Sequence, residues 1–340
     1  MKSICIVAIL IFFIAAHESV GQTTCEPLFK TNKEAHNLFL DLYNQGSFED
    51  AANILRKSYK MFPDNLEANT FNLAIALGHL NELDEGLSVL IYGLEQGIWY
   101  NVLALSHDLF SPYLDFPGFA DLKERNIAKK NEASLLSKTQ YIVKTPKDYD
   151  KEIPYPLFIG LHGAGESLKA FPDVWTSNKV SENCISVYIQ SSQMVSLTGY
   201  TWSDDMDLSV KEIDSIFTLV RDSFPVLEDQ VIISGFSSGG IAAMEVTLRN
   251  TFPVAGFISL CPDRPEAFSD ENIAKAKDRG VRGIILTTEL DPRIELQKEM
   301  SDELTRIGLS NFIVITPNTG HWIPDDLGEQ IDKALKYILR

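Results

Sequence analysis

Ser237 lies in Gly235-Phe236-Ser237-Ser238-Gly239, a G-x-S-x-G pattern between the apolar run Val231-Ile232-Ile233 and the helix-forming run Ile241-Ala242-Ala243-Met244. In a strand–turn–helix setting this pattern lifts a serine hydroxyl clear of a strained turn, ready to attack an acyl carbon. Glycines at 235 and 239 leave the room that such a turn needs. The helix that follows brings free N–H groups and its positive dipole end to the same place. Ser238, one position past the centre, is expected to offer its backbone N–H rather than its hydroxyl. A serine hydroxyl is a weak nucleophile until a base takes its proton. His321, just beyond the apolar run 312–316, is the expected base. Asp291, in Thr288-Glu289-Leu290-Asp291-Pro292-Arg293 beyond the run 283–287, is the expected acid that orients it, with Glu289 as the alternative. The chain order is serine, acid, histidine.

Upstream, Leu161-His162-Gly163-Ala164-Gly165 ends another strand-like run. A loop of this kind supplies the second donor of an oxyanion hole, here the backbone N–H of Ala164. His162 reads as a brace for that loop rather than a base. Trp202, in Tyr200-Thr201-Trp202-Ser203-Asp204-Asp205, is expected to form a flat wall of a substrate pocket. His36, His79 and His107 fall outside this constellation and read as surface or packing residues.

These residues need elements to hold them. From Lys138 onward, apolar or β-branched runs at 139–144, 157–161, 185–189, 230–234, 255–260, 283–287 and 312–316 alternate with helical patterns at 208–223, 238–249, 271–278, 294–307 and 327–339. Runs without polar alternation suit strands covered on both faces. Strands alternating with helices predict a doubly wound, mostly parallel α/β sheet over 138–340.

Residues 30–136 follow a different, helical grammar. Gly46 and Asn81 sit about 35 residues apart, each followed by an amphipathic stretch, at 48–62 and 83–97. Pro63-Asp64-Asn65 closes the first unit and opens the next. This resembles the tetratricopeptide repeat, with a third, degenerate unit expected over 99–126. Such a region either presents a face to a protein partner or packs onto the following domain.

At the N-terminus, Met1-Lys2-Ser3, the apolar run 4–16 and the small residues Ser19-Val20-Gly21 read as a secretory signal peptide over 1–21. The run is too short to span a bilayer, which needs roughly 20 residues. A secreted or periplasmic chain without stable membrane insertion is expected. Three cysteines, Cys25, Cys184 and Cys261, lie beyond that leader. An odd number cannot pair fully, and Cys184 and Cys261 sit in strand-like contexts that suit small hydrophobes. No C-x-x-C or His/Cys cluster suggests a metal. The net charge of −17 repels nucleic-acid phosphates and anionic headgroups.

Taken together, Leu161-His162-Gly163-Ala164-Gly165, Gly235-Phe236-Ser237-Ser238-Gly239-Gly240, Thr288-Glu289-Leu290-Asp291-Pro292-Arg293 and Gly320-His321-Trp322-Ile323-Pro324 resemble the predicted-esterase branch of the α/β-hydrolases. That branch includes the phospholipase/carboxylesterase and dienelactone-hydrolase-like groups. The resemblance runs from about Lys138 to the C-terminus and includes the strand-like segment 252–260. It implies a Ser237–Asp291–His321 triad that hydrolyses carboxylic esters without metal or organic cofactor. One departure is Thr288, where a glycine often precedes the glutamate. The same machinery would serve thioesters, peptides or acylated carbohydrates, and an inactive interaction scaffold is the reading from another class.

Overall fold

The computed structural model describes residues 29–339, so the leader expected at 1–21 and Cys25 lie outside the described residues. Four helices come first: α1 (Asn32–Asn44), α2 (Phe48–Ser58), α3 (Leu66–His79) and α4 (Leu83–Glu95). Thr31 caps α1 by accepting the Glu34 N–H. Gly46 (φ +75) and Asn81 (φ +58) stand left-handed in the turns between α1 and α2 and between α3 and α4.

The third unit expected over 99–126 is not a helix pair. Residues Ala104–Ser106 and Asp108–Tyr113 form only short 3-10 turns before α5 (Phe119–Ser134). The reason is aromatic. Tyr100, Phe110 and Tyr113 are fully buried with α3 and α4, and the two tyrosine hydroxyls anchor the segment. Tyr113 OH donates to the Ala74 carbonyl at 2.6 Å and Tyr100 OH to the Leu90 carbonyl at 3.1 Å. Continued helix would pull these rings from their sites.

The second half is a seven-stranded sheet in the order β1-β3-β2-β6-β7-β8-β9. Its strands are β1 (Gln140–Lys144), β2 (Tyr155–Leu161), β3 (Ile185–Gln190), β6 (Val226–Phe236), β7 (Gly256–Leu260), β8 (Arg282–Thr288) and β9 (Ser310–Thr316); β4 (Gln193–Met194) and β5 (Tyr200–Thr201) form a separate antiparallel hairpin. Every pairing in the large sheet is parallel except that of the edge strand β1 with β3.

Helices cover both faces, which explains the unbroken apolar runs. Leu157, Ile159, Val187, Ile233 and Phe257 point to one side. There they meet α8 (Met206–Ser223), α9 (Ser238–Arg249), α10 (Asp270–Asp278) and α11 (Ile294–Ile307). Phe158, Tyr188, Ile232, Ile258 and Ile284 point to the other side. They meet α6 (Phe171–Val174), α7 (Asn178–Asn183) and α12 (Leu327–Ile338). Asp205 caps α8, and Asn250 and Gly308 end α9 and α11 in the left-handed conformation. Among the described residues no helix is long and apolar enough to cross a membrane.

Candidate active site

Ser237 sits in the turn between β6 and α9 at φ +52, a conformation an L-residue enters only under strain. Its N–H donates to the Leu260 carbonyl at 2.8 Å, tying the turn to the end of β7. The flanking glycines are there for space. A Cβ on Gly235 would stand 2.3 Å from the Gly239 carbonyl carbon, and one on Gly239 would stand 2.3 Å from the Leu161 carbonyl oxygen. The hydroxyl of Ser237 therefore projects from the C-terminal end of the sheet on a turn that no side chain at 235 or 239 could share.

The loops after β8 and β9 bring Asp291 and His321 to it. His321 Nε2 lies 3.0 Å from Ser237 Oγ, and His321 Nδ1 lies 2.5 Å from Asp291 Oδ2. Burial pushes the Asp291 carboxyl up. The hydrogen bonds it accepts from His321, the Arg293 N–H and Cys261 outweigh that and hold it below the usual aspartate range. An ionised Asp291 takes the Nδ1 proton as a hydrogen bond, leaving the Nε2 lone pair free for the serine O–H. Glu289 is turned away: its carboxylate accepts the Asn318 N–H at 2.8 Å.

The two loops are zipped together. Glu289 N–H donates to the Thr316 carbonyl, Leu290 N–H to Thr319, and the Thr288 hydroxyl to Gly320 at 2.7 Å. That last bond gives the threonine at 288 a purpose that a glycine there could not serve.

On the oxyanion side, β2 ends in a loop with three successive N–H groups. Gly163 N–H is taken by the Glu166 carboxylate at 2.6 Å, and Gly165 N–H by the Tyr200 carbonyl at 2.8 Å. Ala164 N–H, between them, has no acceptor among the described residues. Ser238 N–H stands at the first position of α9, where helix geometry supplies no partner. The Ser238 hydroxyl is buried, which removes it as a rival to Ser237.

His162 does brace this loop. It is fully buried, its Nε2 accepts the Ser191 N–H at 3.3 Å, and its Nδ1 is left to donate to the Gly163 carbonyl at 2.8 Å. Burial pushes it down to about 4, with the Gly163 carbonyl offsetting part of that. The unfolded chain takes this proton near pH 6.5 and the native chain only near 4, so between those values the unfolded state binds more protons. His162 thus costs nothing above about pH 6.5 and destabilises the fold progressively as pH falls toward 4, by roughly 3 kcal/mol at the limit. Denaturant titrations at pH 7.5 and 5.0 should show His162→Asn losing about 2 kcal/mol less than the parent over that interval. Equal losses would remove His162 as the source.

Trp202 is not a pocket wall. It is fully buried in the core beneath α8, and its Nε1 donates to the His162 carbonyl at 3.1 Å. An indole N–H needs such a partner once buried, so the ring serves the oxyanion loop from below.

Arg293 was not anticipated. Its Nη2 lies 3.1 and 3.2 Å from the two ring nitrogens of His321. Nδ1 is committed to Asp291 and Nε2 to Ser237, so the guanidinium lies across the imidazole rather than bonding in its plane. Asp263 and Asp291 stand 3.7 and 3.8 Å from it and balance the charge. Among the described residues, only Cys261, Asp291 and His321 group three metal-ligating atoms, all within 4.8 Å. Burial pushes the Cys261 thiol up to about 12, so it stays protonated beside Asp291. Cys184 is likewise buried and pushed up to about 12. Cys184 packs as a small hydrophobe, whereas the Cys261 thiol donates to Asp291.

A strained serine at the end of β6, the central strand of a mostly parallel sheet, with acid and histidine on the loops of the last two, decides the architecture. The fold is that of the α/β-hydrolases. An uncharacterized protein from Bacillus cereus ATCC 10987 is similar in fold, at 22% identity and TM-score 0.52, over 91% of this chain and 98% of its own. That coverage reaches into the helical half as well as the sheet. Esterase PE8 (16% identity, TM-score 0.49) and a phospholipase/carboxylesterase from Dyadobacter fermentans DSM 18053 (16%, 0.46) each cover 59% of this chain, with 99% and 97% of their own length. No protein-family model matches the chain, and no curated protein matches its sequence.

Proposed function

We propose that the chain is a serine hydrolase that cleaves carboxylic esters through an acyl-enzyme on Ser237. The observation that carries this reading is the unbroken relay from Ser237 Oγ through His321 to Asp291, at 3.0 and 2.5 Å. His321 takes the serine proton as Oγ attacks the ester carbonyl, then returns it to the leaving alcohol. The N–H groups of Ala164 and Ser238 receive the developing oxyanion; donors of this kind are each worth about 10²–10³ in kcat. Water enters by the same route in reverse and releases the acid. The resemblance of the motifs to the predicted-esterase branch supports carboxylic esters as the substrate. We read the helical half as tetratricopeptide-like and the leader at 1–21 as directing secretion or periplasmic export.

A fluorophosphonate probe tests the mechanism and a panel of p-nitrophenyl esters the substrate. Labelling at Ser237, located by peptide mass spectrometry, together with turnover of short esters is the expected result. A folded sample that takes no label would overturn the reading.

A further inference from the structure

The oxyanion loop does not hold itself. Its two fixed points beyond Gly163 are both on Tyr200: the Gly165 N–H donates to the Tyr200 carbonyl at 2.8 Å, and the Tyr200 N–H donates to the Glu166 carbonyl at 3.0 Å. The approach is close enough that a Cβ on Gly199 would stand 2.6 Å from the Gly165 oxygen. Tyr200 belongs to the β4–β5 hairpin, whose register is Gln193 with Thr201 and Met194 with Tyr200. A two-residue ladder is far too short to be stable alone.

Its support comes from the helical half. Met194 is buried in the aromatic cluster of Trp99, Tyr100, Phe110 and Phe119, and the Leu197 and Tyr200 side chains pack against the same cluster. The Val102 N–H donates to the Val195 carbonyl at 3.3 Å, and Lys130 on α5 pairs with Asp204 at 2.8 Å. Tyr200 therefore has its backbone on the oxyanion loop and its ring in the helical domain. Gly165 is also left-handed (φ +86), so a loosened Tyr200 would leave the loop without its outer anchor.

We propose that the helical half is a brace that positions the Ala164 N–H for the transition state, acting through Tyr200. This rests on the assignment of Ala164 as an oxyanion donor above. It gives the helices a role within the chain, because Met194, Leu197 and Tyr200 pack against the aromatic cluster that α3 and α4 help to build.

The full mature chain is compared with Tyr200→Ala, Tyr200→Phe and Lys130→Ala in three measurements. These are kcat and KM on a short p-nitrophenyl ester, inhibition by an alkyl boronic acid that mimics the oxyanion, and amide exchange over 163–166. Tyr200→Ala is expected to lower kcat about tenfold to a hundredfold. KM should stay within about threefold, because an oxyanion donor acts in the transition state and not on the bound ester. Boronate affinity should fall in step with kcat, and exchange at Gly165 should quicken. Lys130→Ala should shift the same quantities less, and Tyr200→Phe, which keeps the ring, should restore most of kcat.

A rise in KM at constant kcat would overturn the proposal in favour of direct substrate contact. Faster exchange with unchanged kcat, or no change in any readout, would overturn it in favour of packing alone. If the parent turned over no ester and took no fluorophosphonate, the hydrolase reading would fail, while the exchange rates would still report whether the helices hold the loop.

Discussion

Ser237→Ala is expected to abolish ester turnover, a loss of about 10⁶ in kcat, without unfolding the chain. The hydroxyl is the only atom of this residue that reaches His321, and its removal leaves the turn intact because the Ser237 N–H is still tied to Leu260. Alanine inherits the strained φ of +52; glycine does not. Ser237→Gly should therefore be equally inactive but more stable than Ser237→Ala by about 1 kcal/mol in denaturant titrations. Undiminished turnover in the alanine variant would end the nucleophile assignment. Equal stability of the two variants would show that the turn carries no strain at this position.

Asp291→Asn is expected to lower kcat about 10⁴-fold, while Glu289→Gln lowers it less than tenfold. The carboxylate accepts the Nδ1 proton; an amide nitrogen turned toward Nδ1 would favour the tautomer with its proton on Nε2, the atom that must receive from serine. The asparagine keeps the shape of the site, so folding is not the variable. Glu289 binds the Asn318 N–H instead and stabilises the loop that carries His321. The opposite order of losses in steady-state kinetics would move the acid role to Glu289.

The strands were legible because burial on both faces removes polar residues, as at 157–161 and 283–287. The nucleophile turn was legible because crowding permits only glycine at 235 and 239. What could not be read depends on contacts between distant parts of the chain. Trp202 looked like a loop aromatic because nothing nearby in sequence reveals that it packs under α8 and bonds to His162, forty positions earlier. Gln193 and Thr201 gave no strand signal, since polar residues in a two-residue ladder carry no hydrophobic alternation; Gln193 is stabilised instead by Ser209 and Asp205. The segment 99–118 has the aromatic content of a repeat helix, yet its tyrosine hydroxyls reach back to the carbonyls of α3 and α4. Arg293 is adjacent to the acid motif, and only the fold shows that its guanidinium crosses His321.

The bonds that join the loops after β8 and β9 have a mechanical consequence. Thr288, Glu289 and Leu290 each reach across to the segment Thr316–Gly320, while the serine turn is tied to the end of β7 through Leu260. The serine turn reaches the same frame through β7, since Cys261, next to Leu260, donates its N–H to the Leu286 carbonyl on β8 and its thiol to Asp291. Nucleophile, imidazole and acid thus hang on one continuous web of bonds, so a variant that loosens any one of the three loops is expected to disturb both gaps of the relay.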